Sequence, residues 1–134
     1  SEELERARRE AAAAVDDDHV LDAARANAQQ FFFSDDFIIA FDIILSGAKI
    51  SRFSETIRSI SQRTRIPAEQ AWIDRYVATG IDRKDAEDIL WLLWSVVRGL
   101  VVRREIGQDP AQFDRVMGLA VRLLSEHAER LRRG

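Results

Sequence analysis

The last third of the chain carries more apolar surface than one small domain can cover. A first segment, about Arg83 to Arg104, holds Ile89-Leu90-Trp91-Leu92-Leu93-Trp94, then Val96-Val97 and Leu100-Val101-Val102. A helix that is apolar on nearly every side has to be covered on nearly every side. A second segment opens at Asp109-Pro110 and sets Phe113, Met117, Ala120, Leu124, His127 and Leu131 at alternating steps of four and three, a coiled-coil-like seam. Val116, Leu119 and Leu123 add another stripe to the same helix. One stripe can face its own domain. The other needs a partner, and the simplest partner is a second copy of the chain. The expected homodimer interface is Trp91, Val102, Phe113, Val116, Met117, Ala120, Leu123, Leu124, His127 and Leu131.

Bulk properties narrow the class. The chain has 134 residues, enough for one domain with a real core. Apolar residues make up 46% and charged residues 32%, a globular composition. No apolar run approaches the ~20 residues of a membrane span, and the start, Ser1-Glu2-Glu3-Leu4, has no signal-peptide pattern. Cysteine is absent, so disulfides and thiolate metal sites are excluded, and a cytoplasmic address is expected. A net charge of -3 gives no general attraction for nucleic acid. Catalysis finds little support, with no Gly-rich phosphate loop, no Cys nucleophile and two histidines. No Glu-x-x-His pair of the di-iron bundles occurs either. Neither an enzyme nor a cofactor is expected, and no metal.

The pattern predicts an all-α bundle of six to seven helices with short connections. Residues 1–15 form a connector helix, rich in Glu, Ala and Arg, with a narrow stripe of Leu4, Ala7, Ala11 and Ala14 or Val15. Asp16-Asp17-Asp18 reads as a cap for the next helix rather than a metal site. That helix runs to about Phe33, with Val20 or Leu21, Ala24, Ala28, Phe31 and Phe32 on one face. A third, Asp36 to Ser46, is apolar on all sides except at Asp42; strand is its rival, but no second strand exists to pair with it. The fourth starts near Ser51 or Arg52, buries Phe53, Ile57 and Ile60, and either kinks or restarts at Pro67. The next stops at Gly80, where Ile81 gives the form of a Schellman turn. Asp82 and Asp109-Pro110 open the last two helices, and residues 83–133 are the dimerisation part. The terminal Arg130, Arg132 and Arg133 complement the helix macrodipole.

The order Gly80, an acid with Ala86, Leu92-Leu93-Trp94-Ser95-Val96-Val97-Arg98-Gly99-Leu100, Pro110, Phe113 and Leu123-Leu124 resembles the C-terminal domain of TetR-family transcriptional regulators. The resemblance spans the chain as an ordered set of helices, but residue-level likeness is confined to about Gly80 to Leu124. No single motif in it is diagnostic. It implies that the two closing helices of each protomer build a four-helix dimer bundle. The earlier helices would enclose a pocket for a small apolar or amphipathic effector. Operator DNA would be bound only through an N-terminal helix-turn-helix domain, expected to lie outside these residues.

A pocket needs apolar walls and a few placed polar groups. The candidates are Phe37, Phe41, Asp42, Phe53, Trp72, Tyr76, Trp94 and Arg98, with Phe32 as a further wall. Each aromatic also reads as plain core. Asp42 in an apolar helix must reach solvent, pair with Arg75 or Arg98, or contact a ligand. Arg98 can pair with an acid or hold an anionic effector. His127 is either a pH-responsive seam residue or a solvent-facing end, and His19 is expected exposed. The alternative to a sensor is a helical homodimerisation module without ligand, distinguished by a closed interior.

Overall fold

A computed structural model describes residues 2–14, 17–34, 55, 59, 61–105 and 109–133. Every regular element among the described residues is helical: α1 (Glu2–Ala13), α2 (Asp17–Phe32), a π-helical turn (Ser61–Arg65), α3 (Ile66–Val77), α4 (Arg83–Glu105) and α5 (Pro110–Arg133). The expected third helix and nearly all of the fourth lie outside the described residues, so five α-helices are seen where six to seven were expected.

The helix ends follow their local chemistry. Asp82 caps α4: its carboxylate Oδ2 accepts from the Lys84 N–H at 3.2 Å, and its carbonyl accepts from Ala86 at 2.9 Å. Asp109 does the same for α5, taking the Ala111 N–H on Oδ1 at 3.0 Å, with Pro110 as the first helical residue. Between α3 and α4 the chain tightens through Thr79 N–H to Tyr76 and Gly80 N–H to Val77, both at 3.0 Å. Gly80 then turns at φ 102°, a conformation that L side chains resist, and Ile81 is buried directly after it.

Pro67 lies in the first turn of α3, the restart that the sequence allowed, with no break from the π turn ahead of it. Arg65 keeps right-handed helical angles, φ -70° and ψ -47°, and the π turn runs straight into α3. Proline cannot donate an N–H to the preceding turn, and a wider turn ahead of it accommodates that gap.

The core is centred on α2, which packs against α1, α3, α4 and α5. Its Val20, Leu21, Ala24, Ala28 and Phe32 are buried, as the helical spacing predicts. They meet Trp72, Ile73 and Tyr76 of α3, Leu90, Leu93, Trp94 and Val97 of α4, and Phe113, Met117 and Leu124 of α5 in one cluster. Burying each large apolar side chain contributes about 1.5–3 kcal/mol. By contrast α1 contributes only Ala7 and Ala11 as fully covered side chains, with Ala14 just beyond its end. It lies against α2, α3 and the π turn.

Candidate functional site

Two polar constellations lie inside the bundle. The first joins α1 to the interior. Asn27 sits on the buried face of α2, three residues after Ala24, and is only 4% exposed. Its Nδ2 donates to Glu10 Oε2 of α1 at 3.0 Å, while its Oδ1 accepts from Trp72 Nε1 of α3 at 3.3 Å. An amide is a neutral side chain that donates from its nitrogen and accepts on its oxygen at once, so it suits this bridge. A second tie lies at the end of α1, where Arg75 donates from Nε, at 3.0 Å, and from Nη2 to the Ala14 carbonyl oxygen. Beside the first bridge, a groove of about 540 Å³ open to solvent is lined by Glu10, Ala14, His19, Asn27 and Gln30, among others.

The second constellation surrounds Arg65, at the junction of the π turn and α3. Its guanidinium carbon stands 5.0 Å from the ring centre of Phe31 and 5.2 Å from those of Phe32 and Trp94. These are cation–π distances. Arg65 Nε donates to Glu69 Oε2 at 2.9 Å, one helical turn on. Burial pulls the Arg65 guanidinium below its ordinary pKa, opposed by the Glu69 carboxylate. Burial likewise pushes the Glu69 carboxyl above the usual carboxylate range, with Arg65 opposing. The Arg98 guanidinium lies 5.8 Å from the Phe32 ring centre and adds a second positive charge to this region.

The expected pocket residues divide. Phe37, Phe41, Asp42 and Phe53 lie outside the described residues. Trp94 is buried and Arg98 largely exposed, and both border the Arg65 constellation. Trp72 is buried against the Asn27 bridge. Tyr76 is buried near the end of α5, where the Arg132 guanidinium stands 5.7 Å from its ring centre and donates to Thr79 Oγ1 at 2.8 Å. Arg132 thus also serves packing, beyond the macrodipole role expected for the terminal arginines.

The residues expected at the interface divide too. Phe113, Met117 and Leu124 are covered by their own protomer's core, and Leu131 packs against it. The 3–4 seam of α5 is therefore largely used within the chain, because it faces α2 and α4. Val102, Val116 and Ala120 are half-buried and His127 is exposed. What remains outside is Trp91, 65% exposed, and Leu123, 55% exposed, together with Leu92 and Leu119.

Four residues of these constellations escaped the reading of the sequence: Glu10, Asn27, Arg65 and Glu69. Signals existed for three of them. Asn27 shares a helical face with Ala24, Ala28 and Phe31, and Arg65 precedes Glu69 by the four residues of a helical ion pair.

The geometry defines a class: a helical bundle with a cation held among aromatics in its interior, an alanine-faced helix tied to that interior by polar bonds, and an outward apolar face on its last two helices. No membrane-spanning helix occurs among the described residues. Compared with characterised proteins, the chain is similar to the HTH-type transcriptional regulator CymR of Pseudomonas putida, 34% identical over 129 residues. The match covers 96% of this chain and 64% of that relative. No protein-family model and no solved structure matches the chain.

Proposed function

We propose that this chain is the effector-binding and dimerisation domain of a TetR-like transcriptional regulator, acting in the cytoplasm on operator DNA through a helix-turn-helix domain outside these residues. The observation that carries the reading is the similarity to a transcriptional regulator over nearly the whole chain, while about a third of that relative lies beyond the match. The all-helical architecture agrees with it.

In this reading α1 is the connector to the DNA-binding part. An effector that fits one packing of the interior better than another shifts the population toward that packing. The Trp72–Asn27–Glu10 bridge and the Arg75–Ala14 tie then carry the difference to α1. A small displacement of α1 in each protomer changes the separation of two DNA-binding domains, which must match the half-site spacing. Dimerisation rests on the outer faces of α4 and α5, where Trp91, Leu92, Leu119 and Leu123 are uncovered.

Sedimentation velocity at micromolar concentration tests the dimer: twice the chain mass is expected, and Leu123→Glu should halve it. A monomer at that concentration in the unaltered chain defeats the dimerisation reading. Native mass spectrometry of the same sample tests the sensor, through a co-purifying small molecule.

A further inference from the structure

Gly99 has no explanation inside the protomer. It lies within α4, where glycine is less favourable than alanine, and its φ is not positive. A Cβ at this position would meet nothing within 4 Å beyond its chain neighbours and its own helix backbone. What a bare backbone here allows is a close approach from outside. Gly99 belongs to a ridge of Asp88, Leu92, Ser95, Gly99 and Arg103, spaced by four, three, four and four residues, and all five are exposed. Ser95 keeps the ridge low beside Gly99. Its Oγ donates to the Trp91 carbonyl oxygen of its own helix at 2.8 Å, so covering Ser95 leaves no donor unmet. Leu92, 54% exposed, is the large apolar side chain of the ridge. Neither Asp88 nor Arg103 has an ion pair among the described residues.

The order of the ridge is self-complementary. Asp88 stands seven residues before Ser95 and Arg103 seven after Val96, while Leu92 stands three before and Gly99 three after. Two antiparallel copies of α4 related by a twofold axis at Ser95-Val96 therefore set each Asp88 against the other copy's Arg103, and each Leu92 against the other's Gly99. A parallel crossing in the same register would oppose acid to acid, arginine to arginine, and leucine to leucine. We propose that α4 crosses α4 of a second copy antiparallel at Ser95-Val96, with Leu92 of each seated over Gly99 of the other and an Asp88–Arg103 pair at either end. This rests on the dimer reading and names the contact and register that the dimer uses. The glycine supplies the hollow and lets the helix axes approach closely. The charge pairs select direction and register.

The test uses two charge variants, alone and mixed. Asp88→Arg makes both ends of the crossing positive, and Arg103→Asp makes both negative. Each alone should dimerise about tenfold more weakly than the parent chain in sedimentation equilibrium at low salt, because like charges then face each other. Mixed in equal amounts, the two should form the heterodimer in clear excess over random exchange, read by native mass spectrometry, since both ends are then paired. Gly99→Ala should act with opposite signs on the two states. Dimerisation should weaken about tenfold, from a methyl forced into each filled hollow. In the Leu123→Glu background the same change should raise the melting temperature, where helix propensity alone acts. Circular dichroism checks that each variant is folded. Random exchange between the charge variants, or a Gly99→Ala chain that dimerises as well as the parent, overturns the crossing and leaves the dimer reading standing. A parent chain that is monomeric at micromolar concentration defeats both.

Discussion

The seam between α1 and α3 and the seam between α2 and α4 are built differently. Across α2 and α4 the chain interlocks Leu21, Phe32, Leu90, Leu93 and Val97, all buried. Along α1 it sets two small alanines against the bundle, with a third just past its end, and adds directed bonds from Asn27 of α2 and Arg75 of α3. Interdigitated large side chains resist sliding, because any shift opens voids. A methyl-lined face slides with little loss of contact, and its position is set by hydrogen bonds. The first seam therefore suits an element that must move and the second a frame that must not.

Four substitutions can break or sharpen that contrast. The largest effect is expected at Leu93→Ala, which opens a cavity in the frame and should lower unfolding free energy by about 2–5 kcal/mol in denaturant titration. A loss below that of any α1 substitution would end the contrast. Next, Asn27→Ala removes both ends of the bridge and leaves the Trp72 indole N–H buried without an acceptor. About 1–3 kcal/mol should be lost, with altered Trp72 fluorescence.

A smaller effect follows from Glu69. Its folded-state pKa is raised by burial, so the folded form holds the proton more tightly than the unfolded form. Stability from this group is present at low pH and is lost as pH rises from the ordinary carboxylate range through the raised pKa. Glu69→Gln should remove that slope, seen as a difference in melting temperature against pH between variant and parent. The smallest effect is expected at Asp74→Asn, which breaks the exposed 2.6 Å pair with Arg83. Its melting temperature should stay unchanged within error, since solvent and salt screen such pairs.

Much of the frame could be read from residue order. Asp82, Gly80 and Asp109-Pro110 announce their caps because a cap depends on one or two neighbouring residues. The alanine stripe of α1 and the buried face of α2 follow from helical spacing alone. The polar constellations were harder to see. Reading by hydropathy sends Asn27 and Arg65 to the surface, and only contacts 17 and 45 residues away in sequence show why Asn27 is inside. The division of the α5 seam was hidden for a related reason. Two apolar stripes on one helix do not say which one the protomer itself will cover.

The π turn before α3 has a consequence for how relatives of this chain should be compared. Such a turn holds about one residue more than an α turn, and one residue is about 100° of rotation around the helix axis. Deleting a residue between Ser61 and Thr64 would let the backbone relax to ordinary pitch and keep the path of the helix. Because the lost residue is the extra one that the wide turn absorbs, the chain on either side would keep its angular phase relative to Arg65. A one-residue gap at this point is thus a change of pitch rather than of phase, and relatives aligned across it would present the same helix faces to the bundle.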